Sequence, residues 1–258
     1  MQTDGEPDVA LVTGGSRGIG AAIVRALHAS GACVYFTYAR ASEAAEALAR
    51  ELGPERVACE RNDVAEPDAL PALVERCVER FGRLSTLVNN AGIFAENPFD
   101  GEDYAAWRAG WAATFAVNVY GPANLSYLAM RAMRRNAPSA RGVRGRIVNV
   151  ASRAAHRGET TFADYGASKA ALVNLAKSIA RGCATDGIVA FSVAPGFVAT
   201  EMAADALAYR SEAIRAEIPS GRVALPEDVA SVVAFLASGA ADYATGTTID
   251  LHGASYVR

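Results

Sequence analysis

The sequence predicts a doubly wound α/β fold, a parallel sheet of about seven strands with helices on both faces. Three observations carry this expectation. Short runs of β-branched and apolar residues alternate with longer segments whose apolar residues recur at helical spacing. A glycine-rich turn, Thr13-Gly14-Gly15-Ser16-Arg17-Gly18-Ile19-Gly20, lies directly between the first such run and the first helical segment. No linker, internal repeat or shift in composition divides the chain, so residues 1–258 are expected to form one domain. With 51% hydrophobic residues the chain can bury a sizeable core.

The elements follow in order. Residues 9–12 read as a buried strand, and 21–27 as the helix after the glycine turn, stopped by Gly31. A second strand is expected over 33–38, a helix over 42–52 and a short third strand over 56–59. Helix 69–81 is closed by Gly82, and strand 84–88 runs into Asn89-Asn90-Ala91-Gly92. Residues 103–133 form a long, mostly helical stretch whose start the pattern does not fix. Strand 147–150, helix 160–180 and strand 188–193 come next. Pro226 opens a helix ending near Ala237, with Glu227 and Asp228 in its first turn, and strand 245–251 is the last.

The chemistry-bearing stretches lie where such a sheet binds ligands, past the carboxyl ends of strands. In the glycine turn, Gly14 permits a tight turn, Gly18 a close approach of backbone to a pyrophosphate, and Gly20 close packing of helix on strand. The helix start presents free N–H groups to phosphates, and Ser16, Arg17 and Ile19 belong to the same cofactor-binding turn. At the end of the second strand an acidic residue would bind the ribose 2′-hydroxyl of NAD. This chain has Tyr38, Ala39 and Arg40 there. No carboxylate repels a 2′-phosphate, and Arg17 and Arg40 are suited to bind one, so the expected cofactor is NADP(H).

Tyr165 and Lys169 are four residues apart and share one helix face. A phenol titrates near pH ~10, and a fixed ammonium beside it is expected to bring that value towards the working pH. Such a pair also arises by chance between exposed helix residues. Ser152, thirteen residues before the tyrosine and just past the fifth strand, adds a second hydroxyl.

The Gly-x-x-x-Gly-x-Gly turn, Asn89-Asn90-Ala91-Gly92, Ser152 and Tyr-x-x-x-Lys together resemble the short-chain dehydrogenase/reductase family. They do so over nearly the whole chain, in that family's order and spacing. The resemblance implies a Rossmann-type fold and reversible hydride transfer between NADP(H) and a ketone or secondary alcohol. In that reading Tyr165 is the proton donor, Ser152 bonds the reacting oxygen, and Lys169 holds the nicotinamide ribose. Asn118, in Asn118-Val119-Tyr120-Gly121, kinks its helix and supports a water linked to Lys169. Asp63-Val64 lies beside the adenine, and Asn90, Ala91 and Gly92 leave room for the cofactor. Pro195-Gly196-Phe197-Val198-Ala199-Thr200 resembles the loop whose Val198 backbone and Thr200 hydroxyl hold the carboxamide. Residues 201–220 are the expected lid. Where the family commonly has Asp-Gly-Gly, this chain has His252-Gly253-Ala254.

Among members, the motifs are most similar to 3-oxoacyl-[acyl-carrier-protein] reductases, which implies a substrate bound to acyl carrier protein. An NADP-dependent dehydrogenase for another secondary alcohol (sugar, steroid or small ketone) and a catalytically silent NADP-binding scaffold are the alternatives. The family is commonly a homotetramer, and the alanine-rich faces near Asn118 and Tyr165 suit a helix–helix interface.

Charge and composition exclude other classes. A net charge of −3 and a pI of 5.7 give no electrostatic case for nucleic acid or an anionic membrane. No apolar run is long enough to span a bilayer, and the polar, acidic residues 1–7 are unlike a signal peptide. Cys33, Cys59, Cys77 and Cys183 lack metal or disulfide spacing, which suits the cytoplasm. His28, His156 and His252 are isolated, so no metal site is expected. The basic stretch 134–146 reads as a solvated loop or a surface for an acidic carrier protein.

Overall fold

Val9–Val12 (β1) is buried at every position, as expected of a strand covered on both faces. Its side chains alternate between two apolar layers. Ala10 and Val12 join one with Phe36, Val148 and Phe191, while Val9 and Leu11 join the other with Leu87 and Ile147. The remaining strands are Cys33–Tyr38 (β2), Val57–Arg61 (β3), Thr86–Asn89 (β4), Gly145–Val150 (β5), Ile188–Pro195 (β6) and Thr248–Leu251 (β7). They form one seven-stranded sheet in the order β3-β2-β1-β4-β5-β6-β7, and every pairing is parallel. The expected doubly wound fold is therefore the observed one. The computed structural model describes residues 7–257, and the backbone alone at 202, 205–207, 210 and 211. The polar stretch that reads as unlike a signal peptide lies, but for Pro7, outside these residues.

Helices cover both faces. Gly18–Ala29 (α1), Ser42–Leu52 (α2) and Pro226–Ala237 (α9) bury Ile23, Leu48 and Val233 against the first layer. Leu70–Phe81 (α3), Gly121–Met133 (α5) and Ala163–Gly182 (α7) bury Leu73, Leu125 and Ile179 against the second. Tyr104–Phe115 (α4) starts where the sequence left the start open, because the Asp103 carboxylate accepts from the Ala105 and Ala106 amides at 2.9 and 3.0 Å. A four-residue helix, Ala154–Arg157 (α6), was not expected, and Ala204–Ala216 (α8) lies in the expected lid.

The basic stretch joins α5 to the amino end of β5, the opposite end of the strand from Ser152. Arg134 pairs with Asp186 at 2.8 Å, and Arg146 grips Asp242 through two bonds of 2.8 Å in a buried pair. Arg141 and Arg144 donate to the carbonyls of Gly239 and Asn136. These cations serve the fold around the strand's amino end. No helix among the described residues is long and apolar enough to cross a membrane, and the cysteines are free thiols.

Candidate active site

Strand order reverses between β1 and β4, which opens a crevice at their carboxyl ends. The glycine turn lines it. Gly14 and Gly18 adopt φ of +65° and +52°, a region costly for other residues. A Cβ on Gly15 would lie 2.7 Å from Phe36 Cβ. Gly20 departs from expectation: its crowding is with the turn itself, since a Cβ there would sit 2.0 Å from the Gly14 carbonyl oxygen and 2.7 Å from Asn90 Nδ2. That Asn90 amide donates to the Thr13 and Gly14 carbonyls at 2.9 and 3.0 Å. Thr13 Oγ1 in turn accepts from the Asn90 and Ala91 amides, each at 3.0 Å. The end of β4 thereby holds the turn in shape. Ala21 N bonds back to Arg17 O at 3.2 Å, so the amides ahead of it, across Ser16 to Gly20, are the ones a phosphate could meet.

At the end of β2, Tyr38 is half-buried and Arg40 exposed. Strand pairing sets Arg61 opposite Tyr38, and its Nε donates to Ala39 O at 3.1 Å. Sequence reasoning missed Arg61, which carries no local motif. Arg17 is placed differently from expectation: its Nη1 meets Glu201, at the start of the lid, at 2.8 Å. Both partners are exposed, so the pair is a weak one. Asp63 Oδ1 accepts from Ala65 N at 3.0 Å, and Val64 is buried beneath Gly121.

Pro195 ends β6, and a Cβ on Gly196 would lie 2.7 Å from His252 Cβ. The histidine in the family's Asp-Gly-Gly position thus packs under this loop. Val198 is buried and bridges Ala224, and Thr200 reaches within 3.2 Å of a Cβ built on Gly18. The glycine turn and the Pro-Gly loop therefore face each other across the crevice.

Tyr165 and Lys169 rise from α7 into the same crevice. Lys169 Nζ lies 5.6 Å from the Tyr165 ring centroid and donates to Val150 O at 2.9 Å. Burial pulls the Lys169 ammonium down to about 8. Burial pushes the Tyr165 phenol up, with Glu159 adding to it and the Ser152 hydrogen bond opposing. The expected direction for Tyr165 is thus reversed, because loss of solvent outweighs favourable neighbours. Ser152 Oγ also accepts from Ala154 N at 3.1 Å, which ties it to the start of α6.

Asn118 is fully buried in a π turn, Ala116–Tyr120, that interrupts the long helix. Its Oδ1 accepts from Ile93 N at 2.9 Å, and its Nδ2 donates to Ile93 O and Ser168 Oγ at 3.0 Å each. A Cβ on Gly92 would lie 3.3 Å from both Lys169 Nζ and Asn118 Oδ1. Gly92, Asn118 and Lys169 therefore converge. Asp164 is a further residue that the sequence did not single out. Its buried carboxylate accepts from Thr114 Oγ1 at 2.8 Å, Asn97 Nδ2 at 3.3 Å and Tyr165 N at 2.8 Å. It fastens the start of α7, and Tyr165 with it, to α4. Only the adjacency of Asp164 to Tyr165 offered a signal.

Known proteins are similar to this chain over nearly its whole length. The family model described as enoyl-(acyl carrier protein) reductase matches residues 14–253. The 3-oxoacyl-[acyl-carrier-protein] reductase FabG of Escherichia coli is 36% identical over 252 residues, covering 98% of each chain. FabG of Staphylococcus aureus is 37% identical, covering 96% of this chain and 98% of its own. A crystal structure from Brucella melitensis, described as a short-chain dehydrogenase/reductase and glucose/ribitol dehydrogenase, superposes with a TM-score of 0.89 at 34% identity over 100% of both chains. A short-chain dehydrogenase/reductase from Serratia marcescens gives 0.88 at 36% identity over 98% of this chain and 99% of its own. The chain belongs to the short-chain dehydrogenase/reductase family of oxidoreductases.

Proposed function

We propose that this protein is a single-domain, cytoplasmic, NADP(H)-dependent enzyme that interconverts a ketone and a secondary alcohol, with a 3-oxoacyl thioester on acyl carrier protein as first candidate substrate. The observation that carries the reading is the convergence of Tyr165, Ser152, Lys169 and Asn118 on one crevice faced by a glycine cradle. Fold alone would not license it. The cradle fits a dinucleotide, because Gly14 and Gly18 carry the left-handed backbone of the turn and Gly18, lacking a Cβ, keeps the crevice open towards Thr200. Gly14, Ser16, Gly18, Ile19 and Gly20 would hold the pyrophosphate, and Arg17, Tyr38 and Arg40 the 2′-phosphate end. Asp63 and Val64 would flank the adenine. Asn90, Ala91, Gly92, Pro195, Gly196, Val198 and Thr200 would enclose the nicotinamide half.

NADP(H), when bound, supplies or takes up the hydride. Ser152 donates a hydrogen bond to the substrate oxygen and fixes its position. Tyr165 releases its proton to that oxygen as negative charge develops there. Burial, which pushes the phenol up, keeps the proton on Tyr165 until that charge develops. Lys169 holds the nicotinamide ribose, and Asn118 supports the water through which the proton is replaced. Ser152 and Tyr165 address one oxygen atom, which favours carbonyl over carbon–carbon double-bond reduction. Cofactor oxidation over a panel of 3-oxoacyl thioesters, an enoyl thioester, sugars, steroids and small ketones tests the reading. No turnover of any carbonyl, with NADPH still bound, would leave the silent scaffold.

Cofactor choice is measured as the ratio of kcat/KM for NADPH and NADH. One charge-assisted arginine contact contributes roughly 1.5–3 kcal/mol, or about 10–100-fold. The exposure of Arg40 puts the expected preference for NADPH near the lower end. Arg40→Ala should weaken NADPH use and spare NADH, and Tyr38→Asp should turn preference towards NADH. Equal use of both cofactors by the wild type would sink the NADP assignment.

A homotetramer is expected as well. Ala105, Ala106, Ala109, Ala112 and Ala113 leave α4 with an exposed small-residue face, and Tyr120 and Tyr127 are 61% and 58% exposed. Light scattering at micromolar concentration should give four chains per particle. A monomeric mass would mean that these faces meet only solvent.

A further inference from the structure

We infer that this active site selects a flat, apolar ketone, one carrying an aromatic or similarly planar unsaturated ring near its carbonyl, and that Phe94 and Phe162 make the selection. The inference rests on the carbonyl reading above and, within it, ranks a ring-bearing ketone ahead of a straight-chain 3-oxoacyl thioester. Phe94 stands two residues beyond Gly92, and Phe162 immediately precedes α7. Their rings stack with centroids 4.0 Å apart and planes 15° from parallel. Phe94 also meets the Tyr165 ring edge-on, at 4.8 Å and 75°. A carbonyl that receives its proton from Tyr165 therefore carries its substituents past Phe94.

Phe94 keeps 38% of its surface exposed beside Tyr165, so the pair is a wall rather than a filled core. An exposed phenylalanine alone means little. What distinguishes this one is its contact with the ring of the proposed proton donor. The nearby amides are committed within the protein. Asn97 Nδ2 donates to Trp107 O at 3.0 Å and to Asp164, and Asn118 is bonded to Ile93 and Ser168. A polyhydroxylated ketone would find neither amide available. A planar ring meets an aromatic surface already arranged for stacked or edge-on contact.

The test compares 1-phenylpropan-2-one with 1-cyclohexylpropan-2-one, which have the same carbon skeleton but a flat and a puckered ring. Both turnover and calorimetric affinity are measured on the NADPH-loaded protein, in wild type, Phe94→Leu and Phe162→Leu, with folding checked by circular dichroism. Aromatic pairing predicts about a 3–10-fold preference for the phenyl ketone in wild type, falling to about one in Phe94→Leu. If Phe94→Leu does not fold, Phe162→Leu should still reduce the ratio. A wild-type ratio of one or less overturns the inference. So does a ratio unchanged in both variants, no detectable binding of either ketone, or tighter binding of a ketose. If neither ketone is reduced but the affinity ratio holds and is lost in the variants, the aromatic selection stands and the carbonyl-reduction reading falls.

Discussion

Replacing Tyr165 by phenylalanine is expected to lower turnover at least ~10²-fold, the scale of losing a general acid. The change removes one hydroxyl and leaves the ring, so the edge-on contact with Phe94 and the backbone bond to Asp164 should survive. NADPH affinity and melting temperature should change little. The pH profile gives a second readout. Lys169 is pulled down to about 8, so it is charged below that pH and neutral above it. The value of kcat/KM for the cofactor reports groups of the free enzyme, and it should fall as pH rises through about 8. That limb belongs to Lys169 and should persist in Tyr165→Phe. Turnover near the wild-type level in the variant would remove Tyr165 from the mechanism.

Gly20→Ala is expected to cripple dinucleotide binding. The added Cβ would lie 2.0 Å from the Gly14 carbonyl oxygen and 2.7 Å from Asn90 Nδ2. Neither neighbour is the loose end of a flexible side chain, because Asn90 Nδ2 is spent on the Thr13 and Gly14 carbonyls. Overpacking of this kind typically costs ~1–3 kcal/mol, and losing the buried hydrogen bonds adds about as much again. NADPH affinity should fall at least ~10-fold, since ~1.4 kcal/mol is a factor of ten, and the melting temperature should drop. Gly182→Ala is the control, because a Cβ there meets nothing within 4 Å. Wild-type NADPH affinity and melting in Gly20→Ala would show that the turn yields freely.

Elements with a strong period were legible from the sequence alone. Helices 42–52 and 226–237 have the predicted bounds because their apolar residues repeat with the helical turn and their ends are marked. Strands were placed to within a few residues, since a buried parallel strand is a short apolar run without a sharp end. The interruption at Asn118 was foreseen only through family resemblance. Its π turn depends on side-chain bonds to Ile93 and Ser168, which are 25 and 50 residues away.

The sequence by itself determined the alternation of strand and helix, the glycine-built turn between the first strand and helix, and the four-residue spacing of Tyr165 and Lys169. Each is a property of neighbouring residues, set by backbone sterics and helical geometry. Only the tertiary structure decided that Arg61 stands beside Tyr38, that Arg17 faces Glu201, and that Asp164 fastens Tyr165 to Thr114. It also reversed the expected direction at Tyr165. The physical reason is common to all four. Strand pairing, cross-crevice contact and desolvation join or bury groups far apart in the chain, and they leave no periodic mark on the residues nearby.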